Sequence, residues 1–227
     1  MATGSGTIFS GETTPRTVAM PALVKVKICG ITNLEDALTA VDAGADALGF
    51  VFFKESPRHI FPEEAAAIIR HLPPFVQTIG LFVNDTLENV NDTANRCGLD
   101  IIQLHGEEPP EYCDQVTRRV IKAFRVRDIT CLEPMSTYRV AAFLLDAWSP
   151  SAHGGTGITF NWEIAACAAQ SSRIILAGGL SSGNVAAAIE QVHPYGVDVS
   201  SGVESAPGRK DAYKLREFIR RAKEAAH

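Results

Sequence analysis

The chain has 227 residues, of which 46% are hydrophobic and 21% charged, and its formal net charge is -5. These proportions fit one large globular domain or two small ones, and the acidic balance argues against a general nucleic-acid or anionic-membrane surface. No apolar run reaches the roughly 18 residues a membrane span needs, whereas a phosphate ligand stays open because backbone N–H groups hold anions without a basic chain.

Residues 1–22 are rich in Gly, Thr and Ser and carry no apolar core of signal-peptide length. They are expected to be a disordered extension or an expression remnant, with an organellar address as the alternative. A single domain is then expected over 23–227. Its first strand is expected at Leu23–Ile28, a β-branched apolar run that ends at Cys29-Gly30. Thr32-Asn33-Leu34-Glu35 reads as a capping box, and Leu34, Ala37, Leu38 and Val41 follow at helical spacing up to Gly44.

Ala47–Phe53 is a second continuous apolar run, as expected of a strand buried on both faces. It ends in the polar loop Lys54–His59. Pro62 with Glu63 and Glu64 opens the next helix, and Pro73-Pro74 stops it. Phe75–Val83, Ile101–Leu104, Val120–Phe124, Val140–Leu145, Arg173–Leu176 and Gly196–Val199 supply six more strands. Helices are expected between them: Leu87 to Gly98, Glu108–Val116, Asp128–Ser136, one capped by Asn161 and one capped by Ser181 or Ser182. A last helix carries Leu215, Phe218, Ile219 and Ala222 on one face.

Eight strands alternating with eight helices imply a parallel sheet. The eightfold count favours α/β architecture of the closed parallel (βα)8 TIM-barrel kind over an open doubly wound sheet. An internal echo fits this: Gly44-Ala45-Asp46, Gly98-Leu99-Asp100 and Gly196-Val197-Asp198 each fall between a helix end and a strand start. The glycine reads as a helix-ending cap and the aspartate as the return to the sheet.

In such a barrel the C-terminal strand ends share one face, where chemistry is placed. That face would gather Cys29, Arg58, Asn84, His105, Asp146, Gly178-Gly179 and Ser200-Ser201-Gly202. Gly178, Gly179, Ser201 and Gly202 occupy the loops after strands seven and eight, where phosphate sites recur, and Gly155-Thr156-Gly157 can close over the same group. Cys29 ends the first strand. A thiol there can serve as a base only if its pKa, ordinarily about 8.5, is lowered. Asp146, directly after a wholly apolar strand, reads as an acid/base group, and a cysteine and an aspartate across a barrel mouth suit paired proton transfers. His105 either caps Gly106-Glu107 or positions a ligand. Arg58 either grips a substrate carboxylate bidentately or is a solvated surface arginine.

Cys97, Cys113, Cys131 and Cys167 fall in helix-like segments and read as packing. The five cysteines include no C-x-x-C pair, so neither zinc nor a redox pair is signalled, and the odd count reads as a reducing, cytoplasmic compartment. His59, His71, His153, His193 and His227 have no metal-ligand spacing. The expected partner is a small phosphorylated molecule, with no metal, nucleic acid or membrane, and the expected assembly is a monomer or homodimer.

From about Val24 to the last helix the chain resembles the phosphoribosylanthranilate isomerases of tryptophan biosynthesis. The resemblance is carried by Lys27-Ile28-Cys29-Gly30-Ile31-Thr32, Gly49-Phe50-Val51-Phe52, Ser56-Pro57-Arg58, Gln103-Leu104-His105-Gly106, Leu144-Leu145-Asp146, Gly154-Gly155-Thr156-Gly157 and Asp198-Val199-Ser200-Ser201-Gly202-Val203-Glu204. It implies a cofactor-free Amadori rearrangement of N-(5-phosphoribosyl)anthranilate to 1-(o-carboxyphenylamino)-1-deoxyribulose 5-phosphate. It also implies Asp146 as the acid and Cys29 as the base, Arg58 on the anthranilate carboxylate, and the glycine loops with Ser201 on the phosphate. Two rivals are kept. One is another phosphosugar aldose–ketose isomerase of the same barrel type, although that chemistry is read from two aspartates and strand one here ends in cysteine. The other is a barrel that binds a phosphorylated metabolite without turnover.

Overall fold

A computed structural model describes residues 24–147 and 162–225. Eight parallel strands close in sequence order, β1 (Lys25–Cys29), β2 (Ala47–Val51), β3 (Gln77–Phe82), β4 (Ile101–Leu104), β5 (Arg119–Val126), β6 (Ala142–Ala147), β7 (Ile174–Leu176) and β8 (Gly196–Val199). The β1–β8 pairing, with Lys27 opposite Asp198, seals the barrel. The helices after the first four strands are α1 (Leu34–Asp42), α2 (Pro62–Ile69), α3 (Leu87–Cys97) and α4 (Pro110–Cys113). After β6, β7 and β8 come α5 (Trp162–Ala169), α6 (Val185–Val192) and α7 (Ala212–Glu224). Between β8 and α7 a short 3-10 turn at Ser201–Val203 leads into the hairpin β9 (Glu204–Ala206) and β10 (Arg209–Lys210). The expected closed barrel is what forms; the expectations for residues 1–22, Gly155, Gly157 and Asn161 lie outside the described residues.

Strand geometry sorts the side chains into two sets, because successive residues point to opposite faces. Ile28, Phe50, Phe82, Leu104, Leu145 and Val199 face outward and pack with Ala37, Val90, Leu215 and Phe218 of the helices. Ala47, Ile79, Ile121, Leu144 and Ile175 face inward and form a second, smaller apolar cluster. This inner cluster fills the lower barrel, and the inward positions above it carry Cys29, Gln103, Arg125, Asp146 and Asp198. At roughly 25 cal/mol per Å² of buried apolar surface, both clusters stabilise the fold, but only the inner one sets the floor of the mouth.

Several local expectations change. Asn33, not Thr32, caps α1, its side chain accepting from Asp36 N at 2.8 Å. Thr32 Oγ1 instead donates to Gly208 O at 2.5 Å and ties the β1 loop to the β9–β10 hairpin. The segment after β5 is a 3-10 helix, Ile129–Thr137, because Pro134 inside it removes the donor an α-helix would use. Asn184 rather than Ser181 or Ser182 is the N-cap of α6, and its side chain accepts from Ser181 N at 2.8 Å.

The Gly-x-Asp echo holds twice. Asp46 and Asp100 each accept from a backbone N–H of the preceding strand, Val26 and Thr78, both at 2.8 Å. The third copy does not follow: Gly196 already belongs to β8, the left-handed cap of α6 is His193 at φ 49, and Asp198 points into the barrel.

Candidate active site

One cavity at the C-terminal mouth is lined by Cys29, Arg58, His105, Asp146, Gly178, Gly179 and Ser201, seven of the residues expected there. Gly202 lies just behind the lining. A side chain on it would collide with the Leu180 carbonyl, so glycine lets the β8 loop nest against the β7 loop. Gly178 and Gly179 are consecutive left-handed residues, φ 79 and 66, a backbone that L side chains rarely adopt. No side chain stands between that turn and the cavity, and Asn184 Nδ2 holds it through Gly179 O at 2.9 Å.

Cys29 is 5% exposed at the top of β1. Lys27, two residues earlier, shares its inward face and donates to Asp198 Oδ1 at 2.9 Å. Gly49 of β2 lies opposite Cys29 in register, and a Cβ there would stand 3.0 Å from Cys29 Sγ and 3.1 Å from Lys27 Cε. Any side chain there would crowd both, so the glycine gives them room. Burial pushes the Cys29 thiol up; Lys27 pulls it back, Asp198 adds to the rise, and Lys210 again lowers it, so the net direction in the free protein is upward.

The carboxylate clamp expected of Arg58 is half occupied. Arg58 Nε and Nη2 donate to the two oxygens of Glu204 at 2.8 and 2.7 Å. The Arg58 side chain is 13% exposed, so it is not a solvated surface arginine, and its fork is not free for bidentate recognition of a ligand. Lys210 Nζ joins the same carboxylate at 2.9 Å and also donates to Cys29 O at 2.6 Å. Burial pushes the Glu204 carboxyl up, but Arg58 and Lys210 outweigh it and hold the acid below its ordinary range. Gly30, at φ 78, makes the close approach possible, since a Cβ there would come within 2.6 Å of Arg58 Cδ.

Asp146 sits three strands round from Cys29 on β6. It belongs to the strand itself rather than to the loop beyond it, and its inward register aims it into the mouth. His105 Nε2 lies 3.4 Å from Asp146 Oδ2, and His105 Nδ1 lies 3.0 Å from Gln103 Nε2. His105 therefore does not cap Gly106-Glu107; Asn84 and Glu108 do. Glu107 N donates to Asn84 Oδ1 at 2.7 Å and Gly106 N to Glu108 Oε2 at 3.0 Å. Lys122 Nζ ties Glu108 Oε2 at 2.8 Å and Gly106 O at 2.6 Å, so a buried ion pair on the outer face of β5 braces the loop that carries His105.

Sequence reading missed Lys27, Gln103, Arg125, Asp198, Glu204 and Lys210 as members of this site. The signal for four of them was strand parity. Lys27 and Cys29, Gln103 and His105, Ala123 and Arg125, and Gly196 and Asp198 alternate onto the barrel axis. Glu204 and Lys210 come from the hairpin after β8, which had no pattern of its own.

Among the described residues, no group of three or more His, Cys, Asp or Glu side chains is placed to hold a metal ion. Among the described residues no helix is long and apolar enough to cross a membrane. Cys97 and Cys113 are driven up to about 11 by burial, which leaves them unreactive thiols packed in the outer layer.

A parallel eight-stranded barrel with ionisable groups ringed above an apolar floor defines a (βα)8-barrel enzyme equipped for proton transfer on an anionic small molecule. The family profile for N-(5'phosphoribosyl)anthranilate (PRA) isomerase matches residues 26–221. An N-(5'-phosphoribosyl)anthranilate isomerase of Pelobacter propionicus is 74% identical over 202 residues, 89% of this chain and 97% of that protein. A solved phosphoribosyl anthranilate isomerase, in complex with reduced 1-(o-carboxyphenylamino)-1-deoxyribulose 5-phosphate, aligns at TM-score 0.81 and 45% identity over 88% of this chain and 99% of that one. Monomers generated from the dimeric Thermotoga maritima enzyme align at TM-score 0.81 and 43% identity over the same shares, 88% and 99%. The chain belongs to the N-(5'-phosphoribosyl)anthranilate isomerase family. It is an isomerase of tryptophan biosynthesis.

Proposed function

We propose that Asp146 is the general acid and Cys29 the general base of the Amadori rearrangement of N-(5'-phosphoribosyl)anthranilate. Asp146 gives its proton to the furanose ring oxygen, and the C1–O bond opens to a Schiff base. Cys29 as thiolate takes the C2 proton, the C2–H pair forms the C1–C2 double bond as the C1–N π pair returns to nitrogen, and an enolamine forms. The enolamine tautomerises to the ketone, 1-(o-carboxyphenylamino)-1-deoxyribulose 5-phosphate. The observation that carries this reading is that a thiol and a carboxyl from different strands line one cavity with the glycine turn after β7.

The phosphate is assigned to that turn, Gly178-Gly179, with Ser201, Gly202 and the loop containing Gly155 and Gly157. Arg58 is assigned to the anthranilate carboxylate through its charge and its remaining Nη1, because Glu204 occupies the rest of the fork. His105, beside Asp146, is assigned to the substrate side of the acid. Conversion of N-(5'-phosphoribosyl)anthranilate by the pure protein, followed without added metal or cofactor, tests the reading. Binding of the product analogue without turnover would contradict it.

The assembly is read as a homodimer, since the Thermotoga maritima relative is described as dimeric. Phe75 supports this: it is 94% exposed and borders an apolar cavity at the N-terminal end of the barrel, lined by Ile79, Ile101, Ile121 and Ile175. Sedimentation at micromolar concentration tests it; a monomer would overturn it.

A further inference from the structure

The charged groups around Cys29 are more than its assigned role as base requires. Lys27 and Asp198 are 4% and 8% exposed and stand opposite each other in register on β1 and β8, inside the barrel. A buried ion pair is not needed for packing there. The inward positions beneath it are filled by alanine, isoleucine and leucine, and replacing such a pair by apolar residues is commonly neutral or stabilising. What distinguishes the pair is its neighbour, for Lys27 Cε and Cys29 Sγ converge above the bare Gly49.

We propose that Lys27 is a positioning residue for the reaction: Asp198 clamps its ammonium against Cys29, and that charge lets the buried sulfur ionise. The proposal rests on the reading of Cys29 as the base.

The charges that face the sulfur can be counted. On β1 there is Lys27; on β8, Asp198; on the hairpin, Lys210 and Glu204; on the loop after β2, Arg58; His105, Arg125 and Asp146 line the far side of the same cavity, where Arg125 and Asp146 offset each other. Lys27, Lys210 and Arg58 against Asp198 and Glu204 leave one positive charge in excess, so an ionised Cys29 neutralises the cluster. Burial opposes the Lys27 charge, but Asp198 and Cys29 together outweigh it and hold the ammonium above its ordinary value. Asp198 has a double part: it keeps Lys27 in place, and its own charge resists the thiolate.

The two members of the pair should therefore move Cys29 in opposite directions, which a purely structural ion pair has no reason to do. The rate at which iodoacetamide alkylates Cys29 in the free, full-length enzyme, read on its peptide by mass spectrometry across pH 6–10, reports the thiolate fraction without turnover. Lys27→Met should move the midpoint up and cut the rate at pH 8 at least about threefold, since a unit of pKa is tenfold in ionisation. Asp198→Asn keeps the oxygen that accepts from Lys27 and removes only the charge that resists the thiolate, so it should move the midpoint down and raise that rate. Lys27→Arg, which keeps the charge, should restore most of the wild-type profile. The acidic limb of kcat/KM should shift with the alkylation midpoint in each variant. If Lys27→Met does not fold, Lys27→Arg and Asp198→Asn decide alone: a shift upward or no shift in Asp198→Asn overturns the proposal. The same shift in both single variants overturns it as well. Failure of the base assignment is separate, because Cys29→Ala would then keep its kcat whatever the alkylation profile.

Discussion

On the β1/β8 side of the mouth the charged groups already hold one another. Lys27 is closed on Asp198, and Arg58 and Lys210 share Glu204. On the β4–β6 side Gln103 Oε1, His105 Nε2 and Arg125 Nε are buried and make no hydrogen bond. Orphaned buried polar atoms cost about 1–3 kcal/mol each, and native proteins carry few of them without a purpose. The contrast fits the two proton transfers proposed above. A base needs fixed charges beside it, and Lys27, Arg58 and Lys210 are already held in place around Cys29, with Ser200 Oγ on that side buried and without a hydrogen bond. Under the proposed role Asp146 gives its proton to a substrate oxygen, and the unpartnered groups beside it are ones a substrate can complete.

The largest effect that could break this contrast comes from the open side. Asp146→Ala should lower kcat by about 10²–10⁴, the ordinary worth of general acid catalysis, while product-analogue affinity stays close to wild type. If His105→Ala loses that much and Asp146→Ala does not, the acid is the histidine.

The brace under His105 comes next. Glu108 and Lys122 are each 2% exposed at the side chain, and Glu108 also accepts from Asn84 N at 2.8 Å. Removing one partner strands a buried charge, so Glu108→Ala should destabilise the fold by about 3–5 kcal/mol. Denaturant titration measures it, and a loss below 1 kcal/mol would mean the loop does not depend on the pair.

If Arg58 holds the substrate carboxylate throughout the reaction, as proposed, Arg58→Ala should raise KM more than it lowers kcat. An unchanged KM with a collapsed kcat would instead place its contribution in the transition state.

The smallest effect is on stability against pH. Glu204 is held below its ordinary range in the folded chain, so it contributes stability above about pH 4.5, and that contribution is lost as the pH falls through the depressed value. Glu204→Gln should therefore be less stable than wild type at pH 7 and lose less on acidification. Equal slopes of melting temperature against pH between 3 and 6 would contradict it.

The barrel was legible because its cues are local. Continuous apolar runs, helix-ending glycines such as Gly98 at φ 73, and first-turn Pro62 each act within a few residues. The site was legible where a polar residue ended or closely followed an apolar run, as at Cys29 and Asp146. It was not legible where a charge lay inside a run and found its partner across the fold. Lys27 meets Asp198 171 residues away, and Arg58 meets Glu204 146 residues away. Nothing in either segment says that the two will meet. Arg58 shows the consequence: its residue type suits a substrate carboxylate, but Glu204 takes two of its three nitrogens. The Thr32 cap failed for a related reason, since Gly208 on the distant hairpin takes the hydroxyl.

Steady-state kinetics on Cys29→Ser, set beside Cys29→Ala and with product-analogue affinity as the control for binding, tests the account most directly. Serine keeps the size of the side chain and puts its proton acceptor far out of range, so Cys29→Ser should lose kcat nearly as fully as Cys29→Ala, with affinity unchanged. Serine retaining near-wild-type kcat would make Cys29 a packing residue and remove the base from the mechanism.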